Sequence, residues 1–231
     1  MTHPIVARAV AEGRGKLRED EALTLLKAYG IPTPDYAVAR NEEEAVRAAE
    51  QIGYPVAAKI ISPQIVHKTD VGGVIVGITN PQSVREACRR LREVAKKVPY
   101  AELEGVLIQK MVPKGVELIV GAVYDEIFGH VVVFGLGGIF TELYRDISMR
   151  IAPIDEQDAI EMIREVKAYR LLTGFRGVPP RDVPAVVDIL IKFSRLVEDN
   201  PEIREADLNP VIALEEGKGA YVVDARFILQ V

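Results

Sequence analysis

The chain has 231 residues, of which 48% are hydrophobic and 27% charged, and a formal net charge of −5. This composition is typical of a globular protein with one large domain or two smaller lobes, and the absence of a long basic run disfavours broad binding of nucleic acids or anionic membranes. No apolar run reaches the about 20 residues of a membrane helix. The first 16 residues, MTHPIVARAVAEGRGK, lack the features of a signal peptide. Because Cys88 is the only cysteine, no intramolecular disulfide can form, and we expect a soluble, cytoplasmic protein.

Helix and strand signals alternate along the first half of the chain. Apolar residues at helical spacing predict a helix over 18–29, which Gly30 and Pro32 end. Asn41 followed by three glutamates predicts the start of a second helix, and Asn80 predicts a third that runs to about Lys97. Two strand-like runs, PVAAKIIS and GGVIVGIT, lie between these helices.

The second half is richer in strand signals. It contains three strand-like runs, two helical segments that begin near Asp155 and Arg181, and a C-terminal β-hairpin; the strand-like runs are GVLIQKMV, GVELIVGAVY and HVVVFGLGG. These elements predict an α+β protein. We expect an N-terminal segment 1–15, a first lobe 16–105 and a second lobe 106–231.

The C-terminal hairpin predicts a pair of facing oxygen ligands. If its turn centres on Glu216–Gly217, Asn209 lies opposite Asp224 and Asp207 lies opposite Arg226. Facing residues have Cβ atoms about 4.5–5.5 Å apart, so an amide and a carboxylate could hold Mg²⁺, with Asp207 as a weaker third ligand. The alternatives are a solvated aspartate with a turn-forming Asn-Pro, and an Asp207 that only pairs with Arg226. Pro210 indicates an edge strand or a bulge.

Two further features are compatible with a nucleotide. Lys59 lies inside the apolar run PVAAKII, where an ammonium needs either an anion such as phosphate or a path to water. The segment QKMVPKGVE links two strands, and its backbone at Gln109, Lys110, Met111 and Val112 could contact an adenine while Glu117 accepts hydrogen bonds from ribose hydroxyls. A plain hairpin is the alternative for this segment.

His67 lies in SPQIVHKTDVGG, a loop that ends in two glycines. A neutral imidazole can accept a phosphoryl group near neutral pH, although a solvated loop histidine is the simpler interpretation. The run FGLGGIF lacks the spacing of dinucleotide and P-loop fingerprints, but its glycines allow close backbone approach. The roles of Lys68, Asp70, Glu142 and Arg150 are not determined by the sequence.

Together these segments resemble the β subunit of ADP-forming acetyl-CoA (acyl-CoA) synthetases. The segments that match, in order along nearly the whole chain, are GYPVAAKIISPQIVHKTDVGGVIVGI, GVLIQKMVPKGVELIVGAVYD, FGLGGIFTELYRDISMRIAPI and EADLNPVIA with YVVDARF. The resemblance implies an ATP-grasp fold in which the nucleotide lies between two α+β lobes. The fold is similar to the nucleotide-binding part of succinyl-CoA synthetase.

The resemblance also implies roles for these residues. Lys59 would contact ATP phosphates, residues 109–112 would hold adenine with Glu117 on the ribose, and Asn209 and Asp224 would bind Mg²⁺. His67 would relay a phosphoryl group to ADP from an α subunit that carries the CoA and acyl phosphate chemistry and a first phosphohistidine, in an α2β2 assembly. The glycines 72 and 73, and 135, 137 and 138, would leave room for the incoming phosphate or for a segment of the partner.

Two other functions are compatible with part of this pattern. A stand-alone ATP-grasp carboxylate–amine ligase would share Lys59, the linking segment and the Mg²⁺ pair but would not need His67. A non-catalytic regulatory subunit would only bind the nucleotide. The sequence does not indicate which acyl-CoA and acid would be used.

Overall fold

The structure is a computed structural model, and it describes residues 2–65, 68–137, 146–167, 169–174, 177 and 179–231. The chain forms two compact units. One comprises Met1–Thr33 and Pro113–Val231, and the other comprises Pro34–Val112. We refer to them as the larger and the smaller unit.

The described helices are α1 (Pro4–Ala11), α2 (Glu19–Ala28), α3 (Glu42–Ile52), α4 (Pro81–Lys97), α5 (Glu156–Glu165), α6 (Tyr169–Leu172) and α7 (Val183–Asp199). The described strands are β1 (Tyr36–Ala39), β2 (Val56–Ile61), β3 (Val74–Ile78), β4 (Gly105–Lys110), β5 (Val116–Asp125), β6 (Gly129–Leu136), β7 (Ile147–Ile151), β8 (Ile203–Ala213), β9 (Ala220–Val222) and β10 (Ala225–Leu229). None of the helices in the described part of the chain is long and apolar enough to cross a membrane.

The smaller unit is a four-stranded antiparallel sheet in the order β1-β4-β2-β3, with α3 and α4 packed on one face. Both helices begin where the sequence predicts a cap. The side chain of Asn41 accepts a hydrogen bond from Glu44 N, and that of Asn80 from Ser83 N, each at 2.9 Å. Alternate strand residues such as Val56, Ala58 and Ile108 are buried against these helices, so the helices close one side of the sheet.

The larger unit contains a six-stranded antiparallel sheet in the order β10-β8-β5-β6-β7, with β9 also paired to β8. Helix α7 contacts β6 and β8, α5 contacts β6 and β7, and α2 contacts β10. The strand residues that alternate toward these helices are buried, among them Leu118, Val120, Phe134 and Phe227. Because successive side chains of each strand point to opposite sides, the helices cover one face of this sheet, and the remaining side chains project from the opposite face.

The boundaries of the units differ from those expected from the sequence. Residues 1–33 belong with the C-terminal half, because α2 packs on β10 and Leu17 N donates to Phe227 O at 3.1 Å. Residues 105–110 form β4, which lies between β1 and β2, so the smaller unit extends to Val112. Both differences arise from contacts between residues far apart in the chain.

Candidate functional site

Lys59 and Gln109 lie on one face of the four-stranded sheet. Lys59 on β2 is opposite Leu107 on β4, and Gln109 is two residues further along β4, opposite Ala57. Their neighbours along the strands, Ala58 and Ile108, belong to the core formed with α3 and α4, so Lys59 and Gln109 point to the other side. Both side chains are buried, with 4% and 1% exposure. Two predicted nucleotide residues are therefore diagonal neighbours on the face opposite the helices.

The segment that follows Gln109 is partly occupied by contacts within the smaller unit. The Lys110 ammonium donates to Gly53 O at 2.7 Å and Tyr54 O at 2.9 Å, and its amide donates to Asp35 O. The amide of Met111 donates to Pro55 O at 3.2 Å, and its sulfur accepts a hydrogen bond from Gly77 N. Of the predicted adenine segment, Val112 thus remains as the amide donor that a base could use.

The C-terminal hairpin has the predicted register. Asp207 lies opposite Arg226 in the β8–β10 ladder, and Val211 lies opposite Val222 in the β8–β9 ladder. Between these ladders, Asn209 N donates to Asp224 O at 3.1 Å, which places this pair opposite each other as predicted. The turn is closed by a hydrogen bond from Lys218 N to Glu215 O.

Pro210 lies at a bulge, which was one of the two predicted alternatives. Strand β8 is an inner strand, but its register with β5 shifts between Leu118 and Val120, opposite residues 208–211 of β8. At the same point the partner of β8 on its other side changes from β10 to β9. The proline, which lacks an amide proton, thus sits where the ladder is interrupted.

The carboxyl group of Asp207 has a raised pKa. Burial is the main cause, and the charges of Glu205 and Asp224 act in the same direction, while Arg226 opposes them. The guanidinium of Arg226 forms its ion pair with Glu205. The predicted cross-strand position of Arg226 is confirmed, but its closest carboxylate is Glu205. The hairpin therefore concentrates carboxylates on this face of the sheet.

The donor set of the hairpin suits Mg²⁺. Asn209 is exposed and supplies an amide oxygen, and the half-buried Asp224 supplies a carboxylate whose Oδ1 also accepts from Ala225 N at 2.9 Å. Within the described ranges, no group of three His, Cys, Asp or Glu side chains is arranged to hold a metal ion. A site with so few protein ligands suits Mg²⁺, which usually keeps waters and takes further oxygens from phosphates.

Glu117 shares its side of the larger sheet with Asp207. It is an exposed residue of β5, and alternation along β5 puts it on the same side as Gly121, which lies opposite Asp207. Its carbonyl accepts from Gly137 N at 2.8 Å, so its backbone is tied to the end of β6. Glu117, Asp207, Asn209 and Asp224 are thus brought to one face that the helices do not cover.

Several predicted residues lie outside the described part of the chain: His67, Gly138 and Glu142. The residues directly after His67 form a turn, in which Gly73 N donates to Lys68 O and Gly72 N donates to Thr69 O at 3.1 Å. Lys68 is half-buried and Asp70 is exposed in this turn.

The room that the glycines would leave for an incoming group stays a prediction, but three of them have a packing reason to be glycine, because the chain itself fills the space that a Cβ would take. A Cβ on Gly73 would lie 2.8 Å from Ile60 Cγ2, and one on Gly137 would lie 3.0 Å from the Glu117 carbonyl carbon. A Cβ on Gly135 would lie 3.0 Å from Asp146 O. Gly72 differs, because it has a φ of +75° that favours glycine. These residues allow strands and turns to pack closely.

Arg150 has a structural partner. Its guanidinium forms ion pairs with Glu165 and Glu161 on α5, and Ser148 on the same strand donates to Glu165. Ser148 and Arg150 therefore connect β7 to α5 on the helix-covered face, away from the carboxylates of the C-terminal hairpin.

Asp182 supports the hairpin and was not identified from the sequence. Its Oδ1 caps α7 by accepting from Ala185 N at 3.1 Å, and its Oδ2 accepts from Gly219 N at 2.8 Å in the β8–β9 turn. An aspartate before Val-Pro at the start of a helix is a cap signal that the sequence does carry. The second contact depends on tertiary structure.

A family model for the ATP-grasp domain matches residues 8–229. This chain belongs to the ATP-grasp family. Among its relatives, the β subunit of acetate–CoA ligase (ADP-forming) I from Pyrococcus furiosus is 51% identical over 97% of this ATP-grasp chain and 96% of the relative. The acetate–CoA ligase (ADP-forming) I of Archaeoglobus fulgidus is 46% identical over 97% of this chain, but over only 32% of its own length.

A solved ATP-grasp structure covers the same span. The acetyl-coenzyme A synthetase 1 of Ca. Korarchaeum cryptofilum is described in complex with coenzyme A and Mg-AMPPCP, with its phosphohistidine segment pointing towards the nucleotide binding site. It is 48% identical, covers 98% of both chains and superposes with a TM-score of 0.86. The ATP-grasp fold expected from the resemblance is therefore confirmed.

Proposed function

We propose that this chain is the nucleotide-binding, phosphotransferring β subunit of an ADP-forming acetyl-CoA or acyl-CoA synthetase. The reaction is acyl-CoA + ADP + phosphate ⇌ acid + ATP + CoA. The observation that carries the proposal is the hairpin register, which sets Asn209 opposite Asp224 on a face shared with Asp207 and Glu117. The similarity to the P. furiosus β subunit over nearly the whole of both chains supports the specific reaction.

The nucleotide phosphates bind to the Lys59 ammonium. Lys59 is buried on the face that it shares with Gln109, and phosphate oxygens are suitable acceptors for an ammonium group. Gln109, on the same face, and the backbone of residues 110–112 contact the adenine, with the Val112 amide as the donor. Glu117 accepts hydrogen bonds from the ribose. Because the Lys110 side chain is bound to Gly53 and Tyr54, that residue acts through its main chain.

Asn209 and Asp224 hold Mg²⁺, with Asp207 beside them. When bound, the ion neutralises charge on the nucleotide phosphates, which is the main requirement of phosphoryl transfer. Arg226 forms an ion pair with Glu205, and its positive charge partly offsets the negative charge of the carboxylates around Asp207.

His67 relays the phosphoryl group. A partner α subunit forms the acyl phosphate, and the acid leaves as the phosphoryl group passes to a first histidine of that subunit. The neutral imidazole of His67 then takes the group from that histidine, and the His67 N–P bond breaks as an oxygen of the ADP β-phosphate attacks phosphorus. A histidine intermediate divides a transfer between distant sites into shorter steps. The proposal includes a cytoplasmic location and an assembly of two α and two β subunits.

The test is ATP formation by this chain mixed with its cognate α subunit, acetyl-CoA, ADP, phosphate and Mg²⁺. We expect His67→Ala to reduce ATP formation by about a thousandfold or more, because the variant lacks the imidazole that forms the covalent intermediate. Unchanged binding of Mg-ADP to the variant is the control for folding. ATP formation by His67→Ala at the wild-type rate would show that the relay role is wrong.

The same mixture distinguishes the two alternative functions. A carboxylate–amine ligase would form product with this chain alone and would not be labelled on histidine by ATP. A regulatory subunit would retain coupled activity in Asp224→Ala as long as ADP binding persisted. Label on His67 that is acid-labile and base-stable, together with loss of activity in Asp224→Ala, supports the proposed subunit against both.

A further inference from the structure

One face of the larger sheet carries large apolar side chains that remain exposed. Ile147, Met149 and Ile151 alternate along β7 and are 41%, 51% and 51% exposed, and Val123 on β5 is 53% exposed. The turn that joins β5 to β6 adds Ile127 and Phe128, at 84% and 57%. We refer to these six residues as the β7 face.

The ladders show that the strand residues of this set share one side of the sheet. Ile151 lies opposite Val131, which lies opposite Val123, and Met149 lies opposite Val133, which lies opposite Gly121. Residues directly opposite each other project to the same side. The intervening residues of β7, Ser148 and Arg150, contact Glu165 on the helix-covered side. The fold of the larger unit therefore uses the other face of this sheet for its own core.

The turn at the end of the β5–β6 hairpin is preorganised. The Oδ1 of Asp125 accepts hydrogen bonds from the amides of Ile127 at 2.8 Å and Phe128 at 3.0 Å. The side chain thereby fixes a turn that presents two large apolar residues to solvent. A preorganised apolar surface loses little conformational entropy when a partner covers it, which favours association.

The lines of facing residues that cross the sheet through the β7 face, here called rows, continue to the C-terminal hairpin. The row of Met149, Val133 and Gly121 reaches Asp207 and then Arg226, and the row of Ile151 and Val123 reaches Glu205. The apolar strip and the proposed Mg²⁺ residues thus occupy one continuous side of the sheet. Acidic residues border the strip at both ends, with Asp125 and Glu126 at the turn and Glu205 and Asp207 toward the hairpin.

We propose that the β7 face is the docking surface for the α subunit, which rests on the function proposed above. In the A. fulgidus relative, the part equivalent to this chain makes up 32% of one longer polypeptide. In P. furiosus the equivalent part is a separate β subunit, which has to be held to its partner by non-covalent contacts, and stable contacts of this kind have an apolar centre. Continuity with the hairpin puts the docked subunit on the side of the sheet that carries the proposed Mg²⁺ residues. The surface fits a partner with an apolar centre and a basic rim.

The test is association of the chain with its purified cognate α subunit, measured by isothermal titration calorimetry. The double variant Met149→Gln/Ile151→Thr keeps an unbranched side chain at 149 and a β-branched side chain at 151, and it replaces their apolar ends with polar groups. We expect its Kd to be about tenfold higher than that of the wild type or more, because two partly exposed apolar side chains no longer leave water on binding. Val38→Thr is the matched control, since Val38 is an exposed apolar residue on β1, an edge strand of the other sheet, and we expect its Kd to stay within about twofold.

Hydrogen exchange of the wild-type chain gives a second readout that does not depend on a variant. Addition of the α subunit should protect the amides of residues 147–151 and 126–128. The docking proposal is overturned if these amides are not protected, if the double variant binds like the wild type, or if Val38→Thr weakens binding equally. It is also overturned if the chain alone forms dimers through this face, as sedimentation of the double variant would show.

The measurements separate this proposal from the proposed function. The double variant should bind Mg-ADP like the wild type, because none of the proposed nucleotide residues is changed. Asp224→Ala should associate normally with the α subunit and lose ATP formation. Normal association through the β7 face without ATP formation by the wild-type mixture would leave the docking surface in place and contradict the function.

Discussion

At the scale of single residues, Lys59 and Lys110 show how one residue type takes two roles in neighbouring strands. Both were predicted to contact the nucleotide. The structure buries Lys59 on the face shared with Gln109, whereas the Lys110 ammonium is bound by the carbonyls of Gly53 and Tyr54. The different positions of the two side chains therefore predict different effects of the same substitution.

We expect Lys59→Met to weaken Mg-ADP binding by about tenfold to a hundredfold, the value of a charged hydrogen bond to phosphate. Lys110→Met should lower the free energy of unfolding by about 1–3 kcal/mol, because two carbonyls lose their donor, while affinity changes little. Calorimetric titration with Mg-ADP and urea unfolding of both variants test this. The reverse pattern, with Lys110→Met losing affinity, would contradict the assignment.

At the scale of elements, the glycines at the ends of strands are explained by packing between neighbouring strands. Gly137 follows β6 and lies against the backbone of Glu117 in β5, where a Cβ would be 3.0 Å from the carbonyl carbon and 3.1 Å from the carbonyl oxygen. Backbone atoms held in a ladder cannot move aside as a flexible side chain would. The glycine therefore sets the distance between the end of β6 and the start of β5.

We expect Gly137→Ala to lower the free energy of unfolding by about 1–3 kcal/mol, because the added methyl group overpacks a rigid contact. Gly15→Ala is the control, since its Cβ would meet its closest neighbour at 3.9 Å and its φ is not in the left-handed region. Thermal and urea unfolding of the two variants measure the difference. Equal stability of both variants would contradict the packing explanation.

At the scale of the whole molecule, two buried titratable groups of the larger unit make its stability depend on pH. Burial lowers the pKa of His130, whose Nε2 donates to Ile203 O at 2.7 Å. Burial alone would raise the pKa of Glu21, but hydrogen bonds from Arg14 and from the Arg18 amide lower it overall. In both cases the folded state binds the proton less readily than the unfolded chain does.

Because the unfolded chain binds more protons, stability is lost as the pH falls below the unfolded pKa of each group. We expect the loss to begin below pH 6.5 for His130 and to steepen below pH 4.5 as Glu21 contributes. Each group contributes a slope of at most about 1.4 kcal/mol per pH unit. Urea unfolding across this range tests the prediction. In His130→Phe the decline between pH 6.5 and pH 4.5 should be shallower, and an unchanged profile would contradict the role of this histidine.

Structural features that depend only on residues close together in the sequence could be predicted from the sequence alone. The caps at Asn41, Asn80 and Asp155 were predicted because a cap needs only a side chain and the amides of the next turn. The register of the C-terminal hairpin, and with it the Asn209–Asp224 pair, followed from the position of one turn. The functional roles of these residues, and that of His67, remain predictions.

Features that depend on distant contacts were decided by the tertiary structure. Residues 1–33 join the C-terminal half because α2 packs on β10, and Asp182 supports the hairpin because α7 starts beside its turn. The alternating run ISMRI did not indicate which of its two sides a helix would cover. Because α5 packs on Ser148 and Arg150, the side chains of Ile147, Met149 and Ile151 lie on the other side and are exposed. The physical reason is that local hydrogen bonds are specified by a few adjacent residues, whereas burial depends on which surfaces the whole chain brings together.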